Sequence, residues 1–215
     1  MMVRLAGAVL VIAMVAACGP ADEAEPMAEA PMDAAAPMTT ADAGAADLAC
    51  QPQGMPLPDR VSPYDSVTVS VAGEEAKVCY GRPSRNDREI FGSSIVPFDT
   101  IWRTGANEPT TIHIPFAAEI AGLQVEPGSY SIYTVPRQSG DWDVIVNRST
   151  SQWGIETQYT DEIRAQEVGR AQVPSETVPE QVETFTISTE DTGPNSAELV
   201  LEWVNTRVRI PIERV

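Results

Sequence analysis

Short apolar segments that alternate residue by residue, separated by Gly, Pro and Asn, constrain this chain more than any other feature. In residues 65–71, Val67, Val69 and Val71 fall on one face and Ser66, Thr68 and Ser70 on the other. Ala76, Val78 and Tyr80 share a face after Gly73, and Ile112, Ile114 and Phe116 do so in residues 110–116. Residues 129–135 follow Pro127-Gly128, and residues 142–146, 182–188, 197–203 and 207–212 repeat the pattern. The last two segments read as a hairpin turning tightly at Asn205. Period-two alternation is the mark of a half-buried strand. Many such strands with turn residues between them predict an all-β chain, a single antiparallel β-sandwich of jelly-roll-like type. No stretch carries helical periodicity. Residues 88–95 and 150–157 have room for one helical turn each, and no internal repeat is present.

The amino terminus has a different logic. Met1-Met2-Val3-Arg4 is a short basic start, and residues 5–17 are an unbroken apolar run. That order is the charged and apolar regions of an export signal. The run falls short of the roughly 20 apolar residues that span a bilayer. Val15-Ala16-Ala17-Cys18 matches the lipobox of bacterial lipoproteins. Its small residues fit a narrow peptidase cleft, and its thiol accepts a diacylglycerol. Each buried CH₂ of the acyl chains contributes about 0.8 kcal/mol to anchoring. The expectation is an exported protein, lipidated at Cys18 and held to the membrane of the cell envelope. Gly19, rather than Asp, follows the cysteine, which by resemblance to enterobacterial sorting favours the outer membrane, facing the periplasm.

Residues 19–59 contain no Lys or Arg, while Asp22, Glu23, Glu25, Glu29, Asp33, Asp42, Asp47 and Asp59 are acidic. Ala, Pro and Met make up much of the rest. A segment this poor in β-branched and aromatic residues buries too little apolar surface to fold, and its like charges extend it. The chain therefore divides into a signal peptide (1–17), a disordered acidic tether (18–60) and a folded domain (61–215). A flexible tether of that length gives the domain a range of about 35 Å, at roughly 5–6 Å × √n. Cys50 and Cys79 form an even pair in an oxidising compartment. A bridge between them would close a loop of about 30 residues, worth around 3 kcal/mol, and shorten the tether to residue 50. The alternative is two unpaired thiols.

The whole chain carries a formal net charge of −17. That excess, with no basic patch, excludes nucleic acid as a natural partner and disfavours electrostatic binding to anionic lipid heads. One histidine, His113, cannot build a His-rich zinc site. Alternation puts it opposite Ile112 and Ile114, at the surface or a rim. No Gly-X-Ser-X-Gly elbow occurs. Asp141 and Asp143 share a strand face but lack the loop pattern of a calcium site. No metal and no cofactor is expected. Trp153 reads as a plug beneath a long loop.

The densest polar cluster is Tyr80-Gly81-Arg82-Pro83-Ser84-Arg85-Asn86-Asp87-Arg88-Glu89-Ile90-Phe91-Gly92, followed by Trp102-Arg103-Thr104-Gly105-Ala106-Asn107-Glu108. Gly81, Pro83, Gly92, Pro97 and Gly105 make it a loop region. Arginine's planar fork grips carboxylate or phosphate, and an indole stacks on flat or sugar ligands. Arg82, Arg88, Trp102, Arg103, Asn107 and Glu108 are therefore the candidate ligand-binding residues, for an anionic or carbohydrate-like ligand. The competing reading has Arg82, Arg88 and Arg103 pairing with Glu89 and Glu108 and bracing the loops.

The same two runs resemble a bacterial family called domain of unknown function 2911. Ser62-Pro63, Pro127-Gly128-Ser129-Tyr130-Ser131-Ile132, Gln152-Trp153-Gly154, Leu201-Glu202-Trp203 and Thr206-Arg207-Val208 extend the resemblance, in order, over residues 61–212. The family has Lys-Gly where this chain has Asn86-Asp87. Asn and Asp tolerate left-handed backbone, so the turn is expected to survive while a lysine contact is lost. The resemblance implies an exported setting and supplies no activity or catalytic residues. The leading expectation is a non-enzymatic ligand-binding or envelope-interaction module. The rivals are a hydrolase of envelope polymers or glycans, with Glu89, Glu108 or the Asp141/Asp143 pair as acid and base, and a purely structural envelope protein.

Overall fold

The computed structural model describes residues 49–154 and 156–215. The signal peptide, Cys18 and the tether up to residue 48 lie outside the described residues. The alternating segments become strands β1 (Tyr64–Val71), β2 (Glu74–Gly81) and β3 (Thr110–Ile114), followed by β4 (Ala118–Ile120) and β5 (Leu123–Val125), which lie outside those segments. The strands continue as β6 (Gly128–Val135), β7 (Trp142–Asn147), β8 (Glu167–Val173), again outside the alternating segments, β9 (Ser175–Gly193) and β10 (Ser196–Arg214). All pairings are antiparallel. A large sheet has the order β1-β2-β3-β6-β7-β8 and a small one β5-β4-β10-β9. The chain is an all-β sandwich.

The core lies between the sheets. Val69, Val78, Ile112, Ile132, Val144 and Val146 from the large sheet meet Ile187, Leu199, Leu201, Trp203, Val208 and Ile210 from the small one. Burying each such side chain contributes about 1.5–3 kcal/mol. The large sheet is also covered on its outer face. Ile145 alternates away from the core, yet it is fully buried, packed with Tyr133, Val135 and Tyr159. The cover comes from the segment that carries a 3-10 turn (Glu156–Gln158) and the short helix α1 (Asp161–Arg164). This double burial explains why residues 144–146 read Val-Ile-Val instead of alternating apolar with polar.

Three local expectations need correction. Asn205 is not a hairpin turn: residues 197–212 belong to one strand, β10, and its hairpin with β9 turns between Gly193 and Ser196. Residues 88–95 form turns and no helix, and the helical turns near residue 150 begin only at Glu156. His113 lies on the face opposite Ile112 and Ile114 but is only 9% exposed, with Nδ1 at 2.7 Å from Ser129 Oγ.

Residues 50–60 form a strap across the large sheet. Cys50 and Cys79 are joined by a disulfide, with Cα atoms 5.7 Å apart. Ten residues on, Arg60 Nη1 donates to both carboxylate oxygens of Glu108 at 2.9 Å, Nη2 donates to the Gln53 carbonyl at 2.7 Å and Nε to that of Met55 at 3.0 Å. The backbone N–H of Gln53 closes the knot on Glu108. Both side chains are almost completely buried, at 1% and 2% exposure. Trp153 is a half-buried plug against Gly54 of the strap.

A buried pair this fully hydrogen-bonded leaves an uncompensated charge when one partner is removed. Arg60→Ala is therefore expected to cost about 3–5 kcal/mol in urea unfolding under oxidising conditions. The double change Arg60→Met with Glu108→Leu should recover most of that loss.

The same knot acts on Tyr64, whose ring lies beneath Arg60. Burial, and then the Glu108 charge, push its hydroxyl from 10.0 up to about 12, against the opposing pull of Arg60. The folded chain holds this proton more tightly than the unfolded one. The stabilisation is complete below pH 10 and is lost as pH rises toward about 12. Tyr64→Phe should flatten the fall in melting temperature across that window.

Candidate functional site

The residues of the candidate cluster part company in three dimensions. Arg82 is a strut between sheets. Its Nη1 donates to Asp65 at 2.9 Å, its Nη2 to Thr186 Oγ1 at 3.1 Å and its Nε to the Phe185 carbonyl at 3.3 Å. Trp102 is 3% exposed, stacked on Trp203 with centroids 5.9 Å apart, so its ring is core and not a ligand platform. Glu108 belongs to Arg60, which neither reading of the loop arginines foresaw.

The Trp102–Glu108 run is a packing device. Trp102 and Thr134 exchange backbone hydrogen bonds at 2.7 and 2.9 Å. Thr104 Oγ1 lies 3.1 Å from Thr134 Oγ1, and Thr110 Oγ1 donates to the Thr104 carbonyl at 2.6 Å. A Cβ on Gly81 would stand 2.2 Å from the Ala106 carbonyl oxygen, and one on Gly154 would stand 2.4 Å from that of Asn107 and 2.6 Å from Arg103 Cδ. Arg103 and Asn107 thus sit under the Gly154 loop, where the Gly154 N–H donates to the Asn107 carbonyl at 3.0 Å. The side-chain amide nitrogen of Asn107 is buried with no partner among the described residues.

Among the described residues, Arg88 is the candidate that lines an open concavity, of about 510 Å³. One wall is the segment from Arg85 to Phe91. The other is Thr177 of β9 with Val204, Asn205 and Thr206 of β10. The first wall is shaped by a turn in which Arg88 N–H donates to the Arg85 carbonyl at 3.1 Å, with Asn86 and Asp87 at φ 50° and 56°. Both central residues are left-handed, as a type I′ turn requires, so Asn86-Asp87 forms the turn expected of it. The two arginines lock it: Arg88 Nε donates to the Arg85 carbonyl at 2.8 Å and Arg85 Nε to the Arg88 carbonyl at 3.2 Å. Neither pairs with a carboxylate among the described residues, although Asp87 and Glu89 flank them. Arg82, Arg137, Arg170, Arg207 and Arg209, by contrast, all do.

The second wall is strained. Val204 has φ 55°, and the register of β10 against β9 slips on both sides of it. A β-branched residue in this region is a true outlier. Such strain costs about 1–3 kcal/mol and collects at functional positions, as bulges do. Asn205 Nδ2 ties the bulge to the Val178 carbonyl at 3.2 Å. The floor is aromatic. Phe91 meets Trp142, Trp203 and Trp102 edge-on, with centroids at 5.1, 5.9 and 6.0 Å. A smaller cavity of about 90 Å³ continues past Phe91 and Thr206 toward Arg137 and Trp142.

Arg85, Phe91, Thr177, Val204, Asn205 and Thr206 were not candidates on sequence. One signal pointed to the β10 half. Inward apolar residues occupy odd positions through Leu201 and Trp203, then even ones at Val208, Ile210 and Ile212. That change of parity marks an inserted residue. Chemically the groove offers donors, acceptors and one ring. The carboxyls proposed for acid–base work do not assemble there as a set. Glu108 is sealed by Arg60, and Asp143 is held by Arg137 at 2.8 Å and Gln172 at 3.2 Å. Among the described residues no group of His, Cys, Asp and Glu could hold a metal ion.

The contrast between packing glycines and the groove turn is measurable. Gly81→Ala and Gly154→Ala should each lose about 1–3 kcal/mol or more to backbone overlap. Asp87→Gly, at an exposed left-handed position, should lose nothing. Urea unfolding separates the two cases.

Residues 62–212, which contain the groove and the glycine-packed motif alike, match a family described as Protein of unknown function (DUF2911). No curated protein and no solved structure matches the chain. With all ten strands inside or touching the matched span, the chain belongs to the DUF2911 family.

Proposed function

We propose that this chain is a lipoprotein, anchored through Cys18 in the cell envelope, whose sandwich is a non-enzymatic binding module. The contact surface is the groove between the Arg85–Phe91 wall and the Thr177, Val204–Thr206 wall. One observation carries the reading: a strained, β-branched Val204 stands across an open concavity from two arginines that have no carboxylate partner among the described residues. Strain of this kind persists only where the surroundings impose it, and a concavity of this size falls in the range of ligand sites. The anchor rests on the order of basic start, apolar run and Val15-Ala16-Ala17-Cys18.

Two experiments test the two halves. Cys18→Ser should move the protein from the membrane to the soluble fraction of the envelope, and an unchanged membrane fraction would remove the anchor. A ligand-observed NMR screen against envelope-derived small molecules should find a binder that the wild type holds and a Thr206→Arg, Asp87→Arg variant, with its groove filled, does not. A binder indifferent to that block, or one that is chemically turned over, would defeat the binding-module reading.

A further inference from the structure

The polar edges of the groove are of mixed sign, its carboxylates and threonine hydroxyls have no hydrogen-bond partner among the described residues, and that selects a ligand class. We propose that the groove takes a neutral, polyhydroxylated ligand, a short stretch of glycan chain. This rests on the groove being the contact surface and names what it contacts.

Charge comes first. Arg85 and Arg88 are matched by Asp87 and Glu89 along the same wall. A full anion entering here would meet two carboxylates while it lost its water, and like charges at close range disfavour the charged form. The arginine forks are also not aimed as a clamp. Each Nε is held by the other residue's carbonyl, and Arg88 Nη2 is held by the Ser84 carbonyl at 2.6 Å. What remains on this wall is a spaced set of donors and acceptors.

The opposite wall supplies the complement. Thr177 and Thr206 are cross-strand partners, so their side chains stand together, next to Asn205. The carboxylates of Asp87 and Glu89 and the two threonine hydroxyls make no hydrogen bond among the described residues. A hydroxyl donates one hydrogen bond and accepts others. A ligand made of hydroxyls can therefore satisfy carboxylate acceptors on one wall and guanidinium donors beside them at once. Phe91 supplies the apolar surface a sugar ring needs for its C–H face. Three tryptophans hold this half-buried ring edge-on, so ordering it on binding costs little.

The three tryptophans behind Phe91 make the site its own reporter. The full chain is titrated with chitotetraose, cellotetraose, trigalacturonate and a peptide of alternating Arg and Asp. Tryptophan fluorescence and calorimetry are the readouts. The expected result is that a neutral tetrasaccharide binds and shifts the emission. Its affinity should fall about three- to tenfold in Thr206→Val and in Asp87→Asn, the loss of roughly one hydrogen bond each, with the melting temperature unchanged. Asp87→Asn keeps a residue that tolerates the left-handed turn. If trigalacturonate or the peptide binds at these residues and the neutral sugars do not, the ligand class is overturned while the groove stands. If no sugar binds and the envelope screen finds a groove binder of other chemistry, the class is likewise overturned. Failure of that screen to find any groove binder is what would overturn the surface itself.

Discussion

Five aromatic rings from four separate stretches of chain meet in the core of the sandwich, and the geometry of the groove follows from their contact. Trp142 comes from the large sheet, Phe185 and Trp203 from the small one, and Phe91 and Trp102 from the long connection between β2 and β3. Their centroids lie 5.1–6.0 Å apart, mostly edge to face. Such pairs add about 0.5–1.5 kcal/mol beyond their burial. The gap left among them is about 10 Å³. A long loop without strands would otherwise have no fixed position. Phe91 and Trp102 drive it into the core like two pegs, and the residues before Phe91 are thereby held over β10 as a wall.

A second constraint works at the other end of that loop. Glu108 and Arg60 neutralise each other in a site almost free of solvent, and the Cys50–Cys79 disulfide fixes the start of the same strap. The strap and the segment around α1 cover the outer face of the large sheet. Both faces of its central strands are thus buried, which is why Thr111, Ser131 and Asn147, polar residues on outward positions, are nearly inaccessible. Asn147 is fully satisfied there: its Nδ2 donates to Tyr159 Oη and the Ile163 carbonyl, and its Oδ1 accepts from Ser149 N–H. Polar groups in such positions must be paired, because leaving one unmade costs about 1–3 kcal/mol.

The motif most conspicuous to the eye and the surface most open to a ligand are different things. Trp102–Glu108 concentrates charged and aromatic residues, yet the run is spent on internal contacts: the indole in the core, the carboxylate on Arg60, Thr104 on Thr134, Gly105 against the Gly81 carbonyl. Arg88 was the one candidate left facing outward. The difference is one of partners, and partners are separated in sequence. Glu108 and Arg60 are 48 positions apart, Arg82 and Thr186 are 104 apart, and no local pattern links them.

By itself the sequence determined most of the strand-forming segments, though not β4, β5 or β8, together with the antiparallel all-β class and the left-handed turn at Asn86-Asp87. These depend on period, branching and backbone tolerance, which are properties of neighbouring residues. It also carried, as a change of parity between Trp203 and Val208, the trace of a bulge that reads as a hairpin when Asn205 is taken alone. Tertiary structure decided the rest. It decided that β10 runs unbroken through Val204, that Ile145 is buried on an outward face, that Glu108 answers to Arg60, and that Thr177 and Thr206 stand opposite Arg88. Each of these requires two distant segments to meet, and only the packing of the two sheets, with the aromatic cluster between them, specifies which segments those are.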